Sequence, residues 1–252
     1  MQIDKNACLG CGSCKRSCPM AVIKMGEDGK AEMAKPLRCI RCFHCTAACP
    51  VKAVHIDGDR DYQPKRENRL ESIITSRRSV RHYTDAVPDK ETLLHALNTA
   101  MYAPSGKNIH ENKWSVLYGK DQVQKALRLA LDWAEATGIY PELPKNAQRG
   151  IDLVTCGAPC VIIGHSDPKT LNPMADTVIA MATAELILAD AGLSTCWGGY
   201  LRHAINAWPE LKAYCGIAPE REAYAILMVG HADHERYINI PPRDPADIAW
   251  IE

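Results

Sequence analysis

The chain has 252 residues, of which 46% are hydrophobic and 24% charged, and its formal net charge at pH 7 is zero. These values are ordinary for a globular protein of one medium domain or two smaller ones. The neutral balance argues against a nucleic-acid or anionic-membrane surface, which normally needs a basic excess. No signal-peptide pattern is present, and carboxylates interrupt the longest apolar-rich run, 173–191. We therefore expect a cytoplasmic protein with no nucleic-acid partner and no membrane span.

Cysteine is the unusual residue of this sequence. The motif C-x2-C-x2-C-x3-C-P occurs twice, as CLGCGSCKRSCP and CIRCFHCTAACP, with an offset of 31 positions. Under reducing conditions such clusters form metal sites more often than disulfide frameworks. A short apolar patch follows each copy, so residues 1–58 form a duplicated unit that is too small to rely on an apolar core.

The spacing of the cysteines predicts their ligand roles. Thiolates are soft ligands that suit iron–sulfur clusters, and in this motif the fourth cysteine of each copy ligates the other cluster. We therefore predict two [4Fe–4S] clusters. The ligands of the first are Cys8, Cys11, Cys14 and Cys49, and those of the second are Cys39, Cys42, Cys45 and Cys18. A zinc module is the alternative, but zinc sites usually pair two CxxC hooks across a longer gap.

Residues 1–58 resemble the bacterial two-[4Fe–4S] ferredoxin family. Two neighbouring clusters make an electron relay, which needs a partner that stores or uses two electrons. Residues 59–67 belong to a polar, proline-containing stretch and are predicted to be a linker. A second domain is expected over residues 68–252.

Four helices are predicted in the second domain. Asn68 and Asp89 have the character of helix N-caps, and residues 121–136 show amphipathic spacing. A further helix opens at Asn172-Pro173 and ends at Gly192. Because it is apolar on most sides, we expect it at the domain centre or at a subunit interface. Short β-like runs at 114–118, 160–163 and 223–229 alternate with these helices and predict an α+β or α/β domain.

Three segments of this domain have the composition of ligand-binding loops. In Ser76–Arg81 (SRRSVR), guanidinium groups could bind a phosphate, although a solvated charged turn is the alternative. Ala103–Asn108 (APSGKN) breaks a helix with Pro and Gly and then presents polar side chains. Gly192–Tyr200 (GLSTCWGGY) has adjacent glycines that allow a flat ring to approach the backbone, although a helix-cap turn would also explain it.

In this order the three segments resemble the nitroreductase family of FMN enzymes, over about residues 68–252. The resemblance implies an α+β fold with a central antiparallel or mixed sheet, and an obligate homodimer with FMN at the interface. It assigns the phosphate and ribityl chain to Arg77, Arg78, Ser79, Arg81 and Arg243. It assigns the isoalloxazine to Pro104, Ser105, Gly106, Asn108, Trp197, Gly198 and Gly199.

The remaining cysteines and histidines carry weaker predictions. Cys156, Cys160 and Cys215 are interpreted as packing residues, and Cys196 is expected to pack near the flavin. His110 and Glu111 follow the second segment and are expected either in the substrate pocket or, more simply, on the surface.

FMN suits both halves of the chain, because it takes up electrons singly and delivers them in pairs. We expect a low-potential donor such as ferredoxin to reduce the clusters, and FMN to reduce a small organic acceptor such as a nitroaromatic, quinone or enone. One alternative is direct reduction by NAD(P)H, although no GxGxxG motif marks a dinucleotide domain. Another alternative is a non-enzymatic electron carrier or redox sensor.

Overall fold

A computed structural model of the chain describes residues 1–56, 68–233, 237–240 and 243–252. The chain forms two compact units, Met1–Arg78 with His234–Glu252, and Ser79–Asp233. The predicted linker at 59–67 lies outside the described residues, so the predicted domain boundaries stay a prediction.

The first unit is built from short elements around its cysteines. Its helices are α1 (Ser13–Arg16), α2 (His44–Ala48) and α3 (Arg69–Ser76). Strands β1 (Gln2–Ile3) and β4 (Val54–His55) pair antiparallel, as do β2 (Ile23–Met25) and β3 (Ala31–Met33). The duplicated sequence is thus folded into two short antiparallel pairs and two short helices.

The backbone of the first unit repeats with the same offset as its cysteines. Left-handed φ angles occur in pairs 31 positions apart, at Gly10 and Arg41, Gly12 and Phe43, and Ala21 and Lys52. Left-handed backbone is uncommon for residues other than glycine, so its recurrence at matching positions marks a shared local fold. The duplication seen in the sequence is therefore a duplication of the structure.

The second unit is an antiparallel sheet covered by helices. The sheet order is β5-β6-β8-β7, with strands β5 (Lys113–Tyr118), β6 (Cys160–Ser166), β7 (Ser194–Trp197) and β8 (Glu222–Gly230). The helices are α4 (Lys90–Ala100), α5 (Lys120–Thr137), α6 (Glu142–Ala147), α7 (Pro173–Asp190), α8 (Gly199–Ala207) and α9 (Pro209–Tyr214). Helices α4 and α7 share a buried apolar core with β6 and β8. In the described residues, no helix combines the length and apolar character that crossing a bilayer requires.

Local sequence signals explain where the predicted helices begin and end. The side chains of Asn68 and Asp89 accept hydrogen bonds from the N–H groups of Glu71 and Thr92, as N-caps do. Helix α7 begins at Pro173 and is followed by Gly192, whose φ is 81°. These helices and the three predicted strands are confirmed. Strand β7 was not predicted, because its residues were interpreted only as part of a ligand-binding loop.

Candidate iron–sulfur and flavin sites

Two cavities in the first unit are lined by the predicted sets of four cysteines. The first thiol cavity is lined by Cys8, Cys11, Cys14 and Cys49 among apolar side chains. The second thiol cavity is lined by Cys18, Cys39, Cys42 and Cys45. Each cavity therefore takes three cysteines from one copy of the motif and the fourth from the other copy.

Short turns after α1 and α2 place the fourth cysteine of each motif. The Sγ atoms of Cys18 and Cys49 accept hydrogen bonds from the N–H groups of Val22 (3.3 Å) and Ala53 (3.2 Å). A backbone N–H directed at sulfur favours the thiolate, because the hydrogen bond stabilises the charged form. The same contact recurs 31 residues apart, so both motifs hold their crossing ligand in the same way.

The thiols are arranged around volumes and do not surround a single point. In the described residues, no three His, Cys, Asp or Glu side chains converge as ligands of one metal ion would. Burial, followed by the neighbouring Cys49, raises the pKa of Cys14 to about 11. Burial, followed by Cys18, raises the pKa of Cys45 to about 12. Thiols this reluctant to ionise need a cationic group between them before they become thiolates.

One of the predicted phosphate-binding arginines of the first unit, Arg78, has a buried N–H donor that is not hydrogen-bonded in the described residues. The Nη1 of Arg78 donates to the carbonyls of Thr75 and Arg77, both at 2.7 Å, whereas its buried Nε–H has no hydrogen-bond partner among the residues that the structure describes. Burial, followed by the charges of Arg243 and Arg77, lowers the pKa of Arg78 to about 10. Crowded guanidinium groups and a buried free N–H fit an anion such as a phosphate.

A cavity in the second unit contains four of the predicted flavin residues. We call it the large cavity; its volume is about 330 Å³, and it is lined by Arg81, Trp197, Gly198 and Gly199. The Val80 N–H donates to the Thr195 carbonyl (3.0 Å), and Ser79 forms a parallel bridge with Thr195. Two predicted segments that are distant in sequence are thus joined at strand β7.

Two carboxylates of the apolar helix α7 hold predicted flavin segments. Buried Glu185 accepts hydrogen bonds from Thr195 Oγ1 (2.7 Å) and Trp197 Nε1 (3.0 Å). Asp176 accepts from the Gly106 N–H at 3.0 and 3.1 Å. In the sequence these acids stand out only as interruptions of an apolar run. A carboxylate within an otherwise apolar helix is the signal that could have identified them as hydrogen-bonding residues, since a buried charge needs partners.

The loop at 104–108 lies outside the residues that line the large cavity. Lys107 and Asn108 have left-handed φ angles of 51° and 57°. The Asn108 Oδ1 is 2.7 Å from His110 Nε2, and the Ser105 hydroxyl accepts from the His110 N–H (3.1 Å). Ser105 and Asn108 thus contact His110, and Gly106 contacts Asp176, but one copy of the chain does not bring Pro104, Ser105, Gly106 and Asn108 to the large cavity.

Glu111 belongs to a buried polar network. Its carboxylate accepts from Arg221 and from the Ser166 hydroxyl, and the Asp167 N–H donates to it at 3.0 Å. The Arg221 Nε donates to His165 Nδ1 (2.9 Å). Burial, followed by the Arg221 charge, lowers the pKa of His165 to about 4. Glu111 thus lies in a loop with a half-buried side chain, and its carboxylate joins the end of β6 to the start of β8; its expected place in a substrate pocket stays a prediction.

The four cysteines of the second unit divide into two groups. Cys160 and Cys215 are buried packing residues, and burial raises the pKa of each to about 12. Cys196 is buried and lines the large cavity, as does half-buried Cys156. The interpretation of Cys156 as a core residue is therefore wrong.

The fold and these sites define the class of the protein, an oxidoreductase that joins a ferredoxin-type module to an α+β reductase domain. A family model described as the nitroreductase family matches residues 74–231, and one described as a 4Fe-4S dicluster domain matches residues 1–50. The chain therefore belongs to the nitroreductase family, with a ferredoxin-type 4Fe–4S domain at its N-terminus. The predicted family, fold class and enzyme class are confirmed.

Individual relatives match each half. A ferredoxin from Pyrobaculum islandicum is 38% identical over 52 residues, which cover 21% of this chain and 48% of that ferredoxin. A ferredoxin from Thermococcus litoralis is 36% identical over 60 residues, covering 23% of this chain and 97% of that protein. The chain thus spans about half the length of the first ferredoxin and nearly all of the second.

A solved structure matches the remaining part of the chain. It is a nitroreductase from Bacteroides fragilis with bound FMN, at a TM-score of 0.62 and 21% identity, covering 73% of this chain and 100% of that one. At this level of identity the similarity establishes the fold.

Proposed function

We propose that the protein passes electrons through two [4Fe–4S] clusters to FMN and reduces a small organic acceptor such as a nitroaromatic, a quinone or an enone. The observation that carries this proposal is the occurrence in one chain of two cavities lined by four thiols each and a large cavity lined by Arg81 and Trp197–Gly199. When bound, FMN supplies the exchange between single electrons and hydride. The residues of the chain supply binding, orientation and access.

Each thiol cavity is proposed to hold one cluster. Four thiols lie around each apolar volume, and the motif exchanges its fourth cysteine between the two cavities. Binding of a cationic cluster would supply the charge that these buried thiols need in order to ionise and act as ligands. The zinc alternative is disfavoured because zinc sites usually pair two CxxC hooks across a longer gap, whereas both copies here have a third cysteine step and a trailing Cys-Pro.

The FMN site is proposed to use the residues that the family resemblance assigns. The buried Nε–H of Arg78, with the neighbouring charges of Arg77 and Arg243, suits the phosphate, and Ser79 and Arg81 follow them in sequence. Trp197, Gly198 and Gly199 are proposed to line the isoalloxazine, since all three line the large cavity. Pro104, Ser105, Gly106 and Asn108 are proposed to face the flavin of a second copy.

A homodimer is proposed because helix α7 has an apolar surface that its own unit leaves uncovered. Met174 and Ile179 on α7 are 59% and 41% exposed, and Leu94 on the adjacent α4 is 59% exposed. Exposed apolar side chains on packed neighbouring helices are typical of a surface that another chain covers. A second copy covering α7 would also bring its own loop at 104–108 with it, since Gly106 is bonded to Asp176 at the start of this helix.

Cofactor content and turnover test the proposal. The protein should be purified without oxygen, and iron, sulfide and flavin should be measured; we expect about eight irons, eight sulfides and one FMN per chain. A screen of nitroaromatics, quinones and enones with a low-potential donor should then show turnover. Zinc in place of iron, or no flavin, would refute the proposal. Loaded cofactors without turnover of any acceptor would favour the electron-carrier alternative.

The electron donor is tested separately. Rapid anaerobic mixing with NADH or NADPH should leave the flavin oxidised on the timescale of turnover, whereas reduced ferredoxin should bleach it. Fast bleaching by NAD(P)H would favour the alternative in which a nicotinamide reduces the flavin directly and the clusters are accessory.

A further inference from the structure

Tyr140 ends a chain of polar side chains at the wall of the large cavity. Its Oη lies 2.5 Å from His203 Nδ1, and His203 Nε2 lies 2.8 Å from Arg202 Nη2. Tyr140 and His203 line the cavity together with Trp197 and Gly198. Tyr140, His203 and Arg202 are not among the residues predicted to bind a cofactor.

The order of donors in this chain follows from the chemistry of arginine. A guanidinium carries only N–H donors and keeps its proton, so His203 Nε2 must accept the hydrogen bond from Arg202. A neutral imidazole has one acceptor nitrogen, so Nδ1 carries the hydrogen and donates it to Tyr140 Oη. The hydroxyl proton of Tyr140 therefore takes no part in these hydrogen bonds and can be donated to a molecule in the cavity.

The surroundings of Tyr140 hold its ring in one place. The ring stacks on His203 at 5.7 Å between centroids and contacts Tyr200 edge-on at 5.0 Å. Tyr140 also has a left-handed φ of 56°, a backbone state that is uncommon outside glycine and costs free energy. Tyr200 lines the same wall, but its hydroxyl donates to Glu142 (3.3 Å), and burial, followed by Glu142, raises its pKa. Of the two tyrosines, Tyr140 is the one whose hydroxyl proton remains available.

We propose that Tyr140 is the proton donor to the acceptor, with His203 and Arg202 as positioning residues. This rests on the proposed reductase function. For an enone, bound reduced FMN would supply a hydride to the β carbon, and the electrons of the C=C π bond would move to give an enolate. The Tyr140 O–H bond then breaks, and its proton joins the enolate oxygen. The Tyr140 phenolate is stabilised by the His203 N–H and takes a proton back from solvent.

Two acceptors separate proton donation from electron delivery. Ferricyanide takes up electrons without a proton, whereas a quinone or an enone needs both. Tyr140→Phe should lower kcat with the enone or quinone on the order of 100-fold and leave ferricyanide reduction within about twofold. Tyr200→Phe, which removes a hydroxyl from the same wall, should keep the ratio of the two rates within about twofold of the wild type. Equal losses with both acceptors for Tyr140→Phe, or an unchanged ratio, would overturn the proposal.

Ligand binding provides a readout that does not depend on turnover. A non-reducible phenolic aldehyde should bind the oxidised holoprotein about tenfold more weakly in Tyr140→Phe, since its carbonyl loses one donor. His203→Phe should weaken binding less, because Tyr140 keeps its proton. Unchanged affinity of the ligand would contradict the assignment. Loss of FMN from Tyr140→Phe with normal ligand binding would also contradict it, because the hydroxyl would then bind the flavin.

The failure of this proposal is distinguishable from failure of the proposed function. If the wild type reduces neither ferricyanide nor any organic acceptor, the reductase function itself fails. If the wild type reduces both and Tyr140→Phe does the same, only the assignment of the proton donor fails.

Discussion

The two units of this protein are stabilised by different means. In the first unit the buried cluster includes Cys14, Cys45 and Cys49 beside small apolar side chains. In the second unit a larger core of leucine, isoleucine, methionine and valine side chains joins β6 and β8 to α4 and α7. A segment of about 60 residues buries too little apolar surface to be stable alone. We infer that the first unit depends on what its thiols bind, whereas the second folds on its own core.

Removal of iron should have the largest effect and should act on one unit. After anaerobic chelation, amides of α1, α2 and β1–β4 should lose more than about 3 kcal/mol of protection, because ligation and folding are coupled there. Amides of β6 and β8 should change little. Region-resolved hydrogen exchange measures both units in one sample. Equal loss of protection in both units would show that the second unit also depends on the clusters. No loss of protection in the first unit would show that it is stable without its clusters.

Substitution of Glu185 should destabilise the second unit by about 3 kcal/mol. Glu185→Leu leaves the buried donors of Thr195 and Trp197 without this acceptor. Glu185→Gln keeps one acceptor oxygen and should cost roughly half as much. The free energy of unfolding in urea and the fraction of FMN retained should both be lowest in Glu185→Leu, intermediate in Glu185→Gln and highest in the wild type. Equal stability of Glu185→Leu and the wild type would contradict a positioning role.

The second unit should lose stability in mildly acidic solution. Since burial and Arg221 lower the pKa of His165 to about 4 from 6.5, its contribution is fully present above about pH 6.5. The unfolded chain binds a proton first as the pH falls, so the contribution is lost between pH 6.5 and about 4, on the order of 2 kcal/mol. Urea unfolding followed by tryptophan fluorescence should show this slope, and His165→Gln should flatten it. A slope that persists in His165→Gln would assign it to other groups.

The smallest effect is expected at the C-terminal segment of the first unit. The Asn239 N–H donates to the Ala47 carbonyl (3.0 Å), and its Nδ2 donates to the Cys49 carbonyl (2.6 Å). Asn239→Ala removes only the side-chain bond and should cost about 1 kcal/mol. Hydrogen exchange at α2 should report it, with Asp244→Ala as a distant control on the same segment. An unchanged α2 in Asn239→Ala would show that the segment does not support the second motif.

The two units also differ in how much the sequence alone could reveal. The two thiol cavities contain the cysteines that the motif spacing assigns, because ligand spacing within a short duplicated segment leaves few arrangements. Helix starts at Asn68 and Asp89 are local, and the sequence predicted them. The bonds from Glu185 to Trp197 and from Glu111 to Arg221 are tertiary contacts, and the second spans 110 positions. The orientation of Tyr140 depends in the same way on a contact 63 positions away.

The most direct test of electron transfer between the two halves is an anaerobic single-turnover experiment. The clusters would be reduced by one to two electron equivalents from a low-potential donor, and the absorbance of the flavin would be followed in the wild type and in Cys14→Ser. We predict that the flavin of the wild type is reduced within seconds and that the flavin of Cys14→Ser stays oxidised on that timescale. A flavin that remains oxidised beside reduced clusters in the wild type, or equal rates in both proteins, would contradict electron transfer from the clusters to the flavin.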